Sequence, residues 1–331
     1  MALKPPVEVP QGAIRVNTDS QKIEFYAQDQ WWEMATEPSA PLGSRGVFGG
    51  GQTPTVLNTI DYITITTAGN AVNFGDLTRT SSLLGSCSSN TRGFWGGDYP
   101  SAGNVMDYVT ISSTGNALDF GDMTDQRYNL TGFGNQTRGM FAGGHDPGYI
   151  NVIDYITIAS TGNARDFGDM LTKGHGPSAT ASSTRGLLFG GYDGTSSARV
   201  NTIQFVTIST TGNAQDFGDL PNVLQNSQAA SNSVRAIVAG GTTPTLQSGM
   251  EYVTIASAGN STRFGNLLAA KQCNAATASS VRFINAGGTT PTNLDVIEYA
   301  NFATEGNTVD FGNLTTARHS PRGVSNAHGG L

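Results

Sequence analysis

Short apolar runs recur along the chain, and each of them opens on an arginine and closes on a pair of glycines. The arginines are Arg45, Arg92, Arg138, Arg185, Arg235 and Arg282. A stretch rich in β-branched and aromatic residues follows each glycine pair, as in VIDYITI at 152–158, and this composition is typical of a half-buried strand. Because no segment shows a sustained 3.6-residue apolar period, the pattern predicts strands and leaves no obvious place for helices.

The remainder of each unit, which repeats about every 47 residues, predicts two further strands. A Gly-Asn pair after each aromatic stretch predicts a tight turn. The segment after that turn, typified by ARDFGDM at 164–170, carries a phenylalanine in register in all six units. The stretch before each arginine, such as TGFGNQ at 131–136, is dominated by small residues and suits a crowded innermost strand.

Six four-stranded units in tandem indicate a β-propeller, because radial repetition of such meanders protects their edges. We predict an all-β, six-bladed, kelch-like propeller over residues 45–331, with blades starting near 45, 92, 138, 185, 235 and 282. The first unit lacks its small-residue strand, whereas residues 317–331 match such a strand without its continuation. We therefore predict that this C-terminal strand joins the first blade and closes the ring; a fragmentary cap on a linear array is the alternative.

Residues 1–44 stand outside the repeat and predict a small β-meander that acts as an attachment module. It is too short to hold a core of its own. Its adjacent Trp31 and Trp32 should face opposite sides of one strand. One of these side chains can then pack inward while the other docks a partner; packing of the module against the first blade is the alternative.

Composition excludes several classes of function. A net charge of −7 without a basic stripe argues against nucleic acid as a partner. No apolar run approaches the roughly 20 residues that span a bilayer, so we predict no membrane insertion, and the N-terminal sequence lacks the apolar core of a signal peptide. Cys87 and Cys273 lack metal-site spacing and are interpreted as small packing residues.

Comparison of the six units with one another separates a constant scaffold from variable loops. The variation falls between the second and third strands and in the linkers between units, two sets of segments that share one face of a propeller. Variable loops on a rigid scaffold are typical of a recognition surface, although simple drift of solvent-facing loops explains them equally well. Aromatic residues beside carboxylates would suit a sugar or a protein. The candidate binding residues are Tyr99, Tyr128, His145, Asp146, Tyr149, Tyr192 and Asp193.

The sequence predicts no catalytic residue, no cofactor and no metal site. One arginine per unit at a constant position favours a structural role, paired with a carboxylate of the FGD segment or of the preceding strand; a ring of arginines around an anion is the functional alternative. Calcium at the FGD turns is a further alternative, but each turn offers too few oxygens for the 6–8 ligands that calcium prefers.

Two resemblances extend this interpretation. The glycine pairs, the four strands per unit and the terminal closure resemble kelch-type propellers, without the tyrosine and tryptophan that usually follow the glycine pair. The segment GAIRVNTDSQKIEFYAQDQWWEM is similar to a module near the ends of virion proteins of tailed bacteriophages. The unit TIxSTGNAxDFGDL looks like repeats in structural proteins of marine, especially cyanobacterial, phages.

The phage resemblance implies a non-enzymatic virion structural protein, assembled in the host cytoplasm and displayed as a tail-fibre or receptor-binding head. Its partners would be other virion proteins, reached through the N-terminal module, and a host-surface glycan or protein. Attachment to a fibre would suggest a homotrimer. A capsid or neck decoration protein and a glycan-active enzyme are the alternatives.

Overall fold

The structure is a computed structural model that describes residues 9–17, 22–33 and 45–331. The chain divides into two compact units, Met1–Pro41 and Leu42–Leu331, and the boundary predicted after residue 44 falls next to residues outside the described ranges. All regular secondary structure in those ranges is β-strand, as the apolar pattern predicts. They contain no helix that could cross a membrane.

The first unit contains a three-stranded antiparallel sheet. Its strands are Ile14–Asn17, Lys22–Ala27 and Gln30–Glu33, paired in chain order. Gln28 and Asp29 both have positive φ, at 52° and 60°, which is the geometry of the two-residue hairpin turn that matches strand twist. A three-stranded meander is therefore present where the sequence predicts one.

The second unit contains, within residues 45–331, six antiparallel sheets of four strands each. We number them sheets 1 to 6 and label their strands a to d, in the order in which neighbouring strands pair. Strands a, from sheet 1 to sheet 6, are Arg322–Ser325, Gly85–Ser88, Thr131–Gly134, Ser178–Ala181, Gln228–Ser231 and Ala275–Ala278. Strands b are Arg45–Gly49, Arg92–Gly96, Arg138–Ala142, Arg185–Phe189, Arg235–Ala239 and Arg282–Ala286.

The outer two strands follow in the same order. Strands c are Thr59–Thr64, Gly103–Thr110, Val152–Thr157, Thr202–Thr207, Gly249–Thr254 and Val296–Asn301. Strands d are Val72–Asp76, Leu118–Arg127, Arg165–Asp169, Gln215–Asp219, Thr262–Asn266 and Val309–Asn313. In sheet 1, strand a comes from the C-terminal end of the chain and pairs with strand b through Arg322 opposite Gly49.

The loops between strands b and c carry short additional pairs. Three of these loops contain a hairpin whose strands are two residues long: Gln52–Thr53 with Thr55–Val56, Thr242–Thr243 with Thr245–Leu246, and Thr289–Thr290 with Thr292–Asn293. In sheet 4 the pair Tyr192–Asp193 and Ala198–Arg199 is extended by Gly174–His175 from the preceding linker. These additions give the b–c loops a defined backbone.

Apolar side chains fill the spaces between neighbouring sheets. Each of the six buried clusters in the described residues draws on two adjacent sheets, as the alternation of side chains across a pleat requires. One cluster joins Ile284 and Phe311 of sheet 6 to Phe48 and Ile63 of sheet 1. Cys87 is a free, buried cysteine within another of these clusters, in agreement with a packing role.

The Gly-Asn turns bind the neighbouring sheet as well as reversing the chain. Gly115 of sheet 2 donates its backbone N–H to the carbonyl of Phe74 in strand d of sheet 1 (2.8 Å), and the Asn116 side-chain oxygen accepts from Asp76 N–H (3.1 Å). The same contact joins each turn to strand d of the preceding sheet. Gly69 of sheet 1 likewise donates its N–H to the carbonyl of Phe311 in sheet 6 (2.7 Å). The turns thereby cover the outer edge of each sheet, which is otherwise a template for aggregation.

The repeated arginines have a structural role, but the carboxylate pairing predicted for them is wrong. Each guanidinium lies over the aromatic ring of strand c in its own sheet, 4.6–5.1 Å from the ring centroid, within range of a cation–π interaction. It also donates to a backbone carbonyl of the next sheet, as Arg45 does to Ile111 (3.0 Å) and Arg282 of sheet 6 to Ile65 of sheet 1 (2.8 Å).

Other cations, located at the end of strand d or in the d–a linker, pair with carboxylates of strand c in four of the sheets. Arg127 contacts Asp154 at 2.6 Å and Arg318 contacts Asp61 at 3.1 Å, with all four side chains fully buried. Lys271 with Glu298 and Arg79 with Asp107 repeat the arrangement. A buried charge requires such a partner, so these four pairs hold the segments that carry the cations against the next sheet.

The a strands line a narrow cavity of about 50 Å³, which is bordered on one side by His328. His328 follows strand a of sheet 1, and its Nε2–H donates to the Ser88 carbonyl of sheet 2 (2.9 Å). Its Nδ1 accepts from Gly330 N–H (3.1 Å), and Gly329 N–H donates to the Ser231 carbonyl of sheet 5. Because one ring nitrogen donates and the other accepts, these two hydrogen bonds require the neutral imidazole.

We expect this histidine to make the fold sensitive to acid. Burial lowers the pKa of His328 to about 4, whereas an unfolded histidine titrates near 6.5. Between these values the unfolded chain binds more protons, so stability falls as the pH is lowered from about 6.5 to about 4, by on the order of 3 kcal/mol. Urea unfolding at pH 7 and pH 4 should show this loss in the wild type and a smaller one in His328→Asn; parallel pH profiles would contradict it.

Candidate functional site

The b–c loops and the d–a linkers meet at one end of the sheets. The backbone of Tyr128, in the linker to sheet 3, bridges to His145 in the loop of that sheet, and His175 pairs in the same way with Tyr192 of sheet 4. Equivalent bridges join Gln225 to Thr242, Gln272 to Thr289 and His319 to Gln52. The two variable parts of the repeat, expected on one face, are thus held together by backbone hydrogen bonds.

Five of the seven candidate residues belong to one chain of touching rings, which we name the aromatic band. It consists of Tyr99, Tyr128, His145, Tyr149, His175 and Tyr192. Neighbouring ring centroids are 5.4 Å apart for Tyr99–Tyr128 and Tyr128–His145, 5.0 Å for His145–Tyr149, and 5.3–5.6 Å among Tyr149, His175 and Tyr192. All six residues are half-buried. The band runs across the loops and linkers of sheets 2 to 4.

Four of the six residues of the band occupy just two positions of the repeat. His145 and Tyr192 directly follow a glycine pair, and Tyr128 and His175 are their bridging partners in the linkers. Sheets 5 and 6 have threonine and glutamine at these same positions. His175 is the member that sequence reasoning missed, although its alignment with Tyr128 in the linker could have identified it.

His175 is held as a neutral ring. The Asn129 amide donates to its Nδ1 at 2.6 Å, and the Gln225 amide lies 3.4 Å from the same atom. Burial, and to a smaller extent His145, lowers the pKa of His175 to about 4. The ring planes of Tyr149 and His175 are nearly parallel, at 7°. At neutral pH this part of the band is therefore an uncharged stack.

Tyr149 is fixed by close packing as well as by the stack. Its ring lies directly against the Cα of Gly194, where any added Cβ would overlap the ring atoms. Burial, together with interactions with Tyr192 and Tyr128, raises the pKa of the Tyr149 phenol. The hydroxyl is therefore protonated at neutral pH.

A polar cleft of about 390 Å³ lies beside Tyr149. Asp125 and Gln126 from strand d of sheet 2 form one wall of this cleft, and Lys173 is part of its lining. Asp146 and Asn151 from the b–c loop of sheet 3 complete the polar groups. The cleft thus combines two carboxylates, two amides and one ammonium next to an aromatic surface.

Asp193 is the candidate residue that the structure places in a different setting. It is buried, at 8% exposure. Its carboxylate accepts from the backbone N–H groups of Thr195 (2.8 Å) and Ser196 (3.3 Å) and from the Ser196 hydroxyl (2.7 Å). Burial raises the pKa of Asp193, but these hydrogen bonds outweigh it and lower the pKa overall. Asp193 therefore shapes its own loop.

In the three-stranded sheet, Trp31 is half-buried. The Arg15 guanidinium lies 4.1 Å from the Trp31 ring centroid, and Tyr26 meets the same ring edge-on at 5.3 Å. Trp31 thus has partners within its own sheet. The side chain of Trp32 lies outside the described residues, so the docking role predicted for this pair stays a prediction.

The described residues contain no group of three or more His, Cys, Asp or Glu side chains that could hold a metal ion. In the FGD segments, the backbone N–H of Asp122 and Asp169 is bound by the asparagine of the next turn, Asn163 and Asn213. The segments proposed as alternative calcium sites thus serve as contacts between sheets.

Comparisons with known proteins bear on the fold. No protein family matches the sequence, and no curated protein does either. Among solved structures, the chain is similar to YjhT, with a TM-score of 0.63 over 75% of this chain and 88% of that one, at 9% identity. YjhT is a β-propeller-type protein. At this identity the likeness concerns the fold alone, and it identifies the four-stranded sheets as propeller-like blades.

Proposed function

We propose that this chain is a non-enzymatic virion protein of a tailed phage, in which the six sheets close into a six-bladed propeller and the aromatic band serves as the binding head. The observation that carries the binding role is the asymmetry of the band. A scaffold whose contacts repeat from sheet to sheet has aromatic side chains at the bridged loop positions of sheets 3 and 4, where sheets 5 and 6 have threonine and glutamine.

Closure of the ring is supported by contacts between sheets 6 and 1 of the same kinds as those between consecutive sheets. These are the Gly69–Phe311 turn contact, the Arg282–Ile65 hydrogen bond and the Arg318–Asp61 ion pair. A small cavity lined by all six a strands adds to this support. A ring removes the exposed sheet ends that a linear stack would leave.

The binding role is supported by the chemistry of the loops. Contiguous aromatic side chains that are half-buried and packed on one another provide a rigid contact surface at little cost in conformational entropy. Scaffold contacts that repeat from sheet to sheet would hold such a surface in place while the loop sequences differ between sheets. A host-surface glycan or protein is the partner class that suits it.

The virion assignment rests on the sequence resemblance of GAIRVNTDSQKIEFYAQDQWWEM and of the TIxSTGNAxDFGDL unit to phage structural proteins. We propose that the first unit attaches the chain to other virion proteins, and that a trimer forms if the attachment point is a fibre. Assembly would take place in the host cytoplasm.

Purified, fluorescently labelled chain should bind intact cyanobacterial cells that the corresponding phage infects, and an excess of it should slow adsorption of that phage. Resistant cells that have lost the phage receptor are the control and should bind less. Normal adsorption in the presence of saturating chain, together with no labelling of sensitive cells, would contradict the proposed head.

A further inference from the structure

We propose that the ligand of the aromatic band is an uncharged pyranose glycan, with its sugar rings stacked on the band and its hydroxyl groups in the polar cleft beside Tyr149. This inference rests on the proposed binding role and names the chemistry of the partner. It follows from three properties of the site: the shape of the band, the polar groups next to it and the local charge.

The band offers several half-buried aromatic rings in succession. Successive ring centroids in the band lie 5.0–5.6 Å apart, and the flanking residues hold the rings in fixed orientations, as Gly194 does for Tyr149. A pyranose ring presents C–H groups on its faces, which pack against an aromatic face in the way any apolar surface does. A chain of rings therefore fits a chain of sugars better than a single small molecule.

The cleft provides the directional part of recognition. Asp125 and Asp146 are acceptors only, while Gln126 and Asn151 both donate and accept. Sugar hydroxyls also donate and accept, so every group in the cleft can find a partner on a polyhydroxylated ligand. A pocket that is apolar on one side and carries a few convergent polar groups on the other is the general form of a small-ligand site.

Local charge disfavours acidic glycans. Two carboxylates, Asp125 and Asp146, line the cleft against one ammonium, Lys173. Asn129 donates to His175 Nδ1, which keeps this ring uncharged, and the whole chain carries a net charge of −7. A sulfated or sialylated chain would meet like charges at short range, which costs binding energy.

The test uses labelled full-length chain on sensitive cells after two separate treatments. Periodate cleaves vicinal diols and should abolish binding, whereas proteinase K should leave it intact. On an array of neutral and acidic oligosaccharides, the chain should bind neutral members. If proteinase K abolishes binding and periodate does not, the head binds a protein: the proposed function stands and the glycan inference falls. Preference for sulfated or sialylated glycans overturns the inference too.

Variants connect the binding to the band. Tyr149→Ala should weaken binding to the neutral glycan at least about tenfold, equivalent to ~1.4 kcal/mol. The matched control is Leu246→Ala at the equivalent loop position of sheet 5, which should bind like the wild type. Because Tyr149→Ala could disturb its loop, Asp146→Lys provides a second test: it should weaken binding of the neutral glycan and reduce discrimination against acidic ones. Equal binding by all four proteins would overturn the inference.

Discussion

Replacing Asp61 by asparagine should lower the free energy of unfolding by about 3–5 kcal/mol, because it leaves the buried guanidinium of Arg318 without a counter-charge. The carboxylate lies in strand c of sheet 1 and contacts Arg318 at 3.1 Å, with both side chains fully buried. It also accepts from the backbone N–H and the hydroxyl of Thr315, at 3.1 Å and 2.7 Å. Since Thr315 and Arg318 follow sheet 6, the change acts where the ring is proposed to close.

Urea unfolding curves of the purified chain would measure this effect. The control is Arg263→Gln, which breaks the ion pair between Arg263 and Glu251. The Arg263 side chain is 53% exposed, and an exposed ion pair contributes about 0–1 kcal/mol to the free energy of unfolding. The double variant Asp61→Asn/Arg318→Met should recover much of the loss, because it removes both charges. A single variant as stable as the wild type would mean that the pair is not buried as described.

Alanine at Gly312 should destabilise the chain by about 2–4 kcal/mol, through backbone strain and overpacking together. Gly312 has φ of +150°, and an added Cβ would meet the carbonyl oxygen of Gly69 from the turn of sheet 1. The same turn donates its Gly69 N–H to the Phe311 carbonyl and accepts from Asn313 N–H. A methyl group at position 312 would therefore push the two sheets apart.

The matched control lies on the other side of the same contact. A Cβ added to Gly69 would have no neighbour within 4 Å, so Gly69→Ala should change stability by no more than about 0.5 kcal/mol. Thermal unfolding of the two variants side by side would separate them. Similar melting temperatures for Gly312→Ala and Gly69→Ala would show that the turn does not dock on strand d of sheet 6.

Much of the scaffold follows from local pattern. The β-branched and aromatic stretches predict strands c, and the small-residue stretches predict strands a, because strand composition reflects the crowding and burial of each position. The partners of the repeated arginines could not be predicted in this way. Arg45 donates to the carbonyl of Ile111, which belongs to another sheet. The cations that pair with Asp61 and Asp154 are Arg318 and Arg127, which lie at or beyond the end of strand d, where the sequence varies between units.

The sequence predicts which variable loops form the candidate site, but it does not predict how their side chains are arranged in space. Unit-to-unit comparison selected Tyr128, His145, Tyr149 and Tyr192, and the structure brings their rings together. The d–a linker pairs with the b–c loop just after the glycine pair. This pairing depends on backbone hydrogen bonds between segments far apart in the sequence, and composition does not encode it. The same comparison could not separate a loop-shaping carboxylate such as Asp193 from a cleft-lining one such as Asp146.

A density map of the intact phage particle proposed to carry this chain would test the central claim most directly. We expect a closed ring of six four-stranded sheets on the outside of the particle, with the aromatic band of sheets 2 to 4 facing outward. An open stack of sheets, a band buried against the shell as in a decoration protein, or absence of the chain from the particle would contradict it.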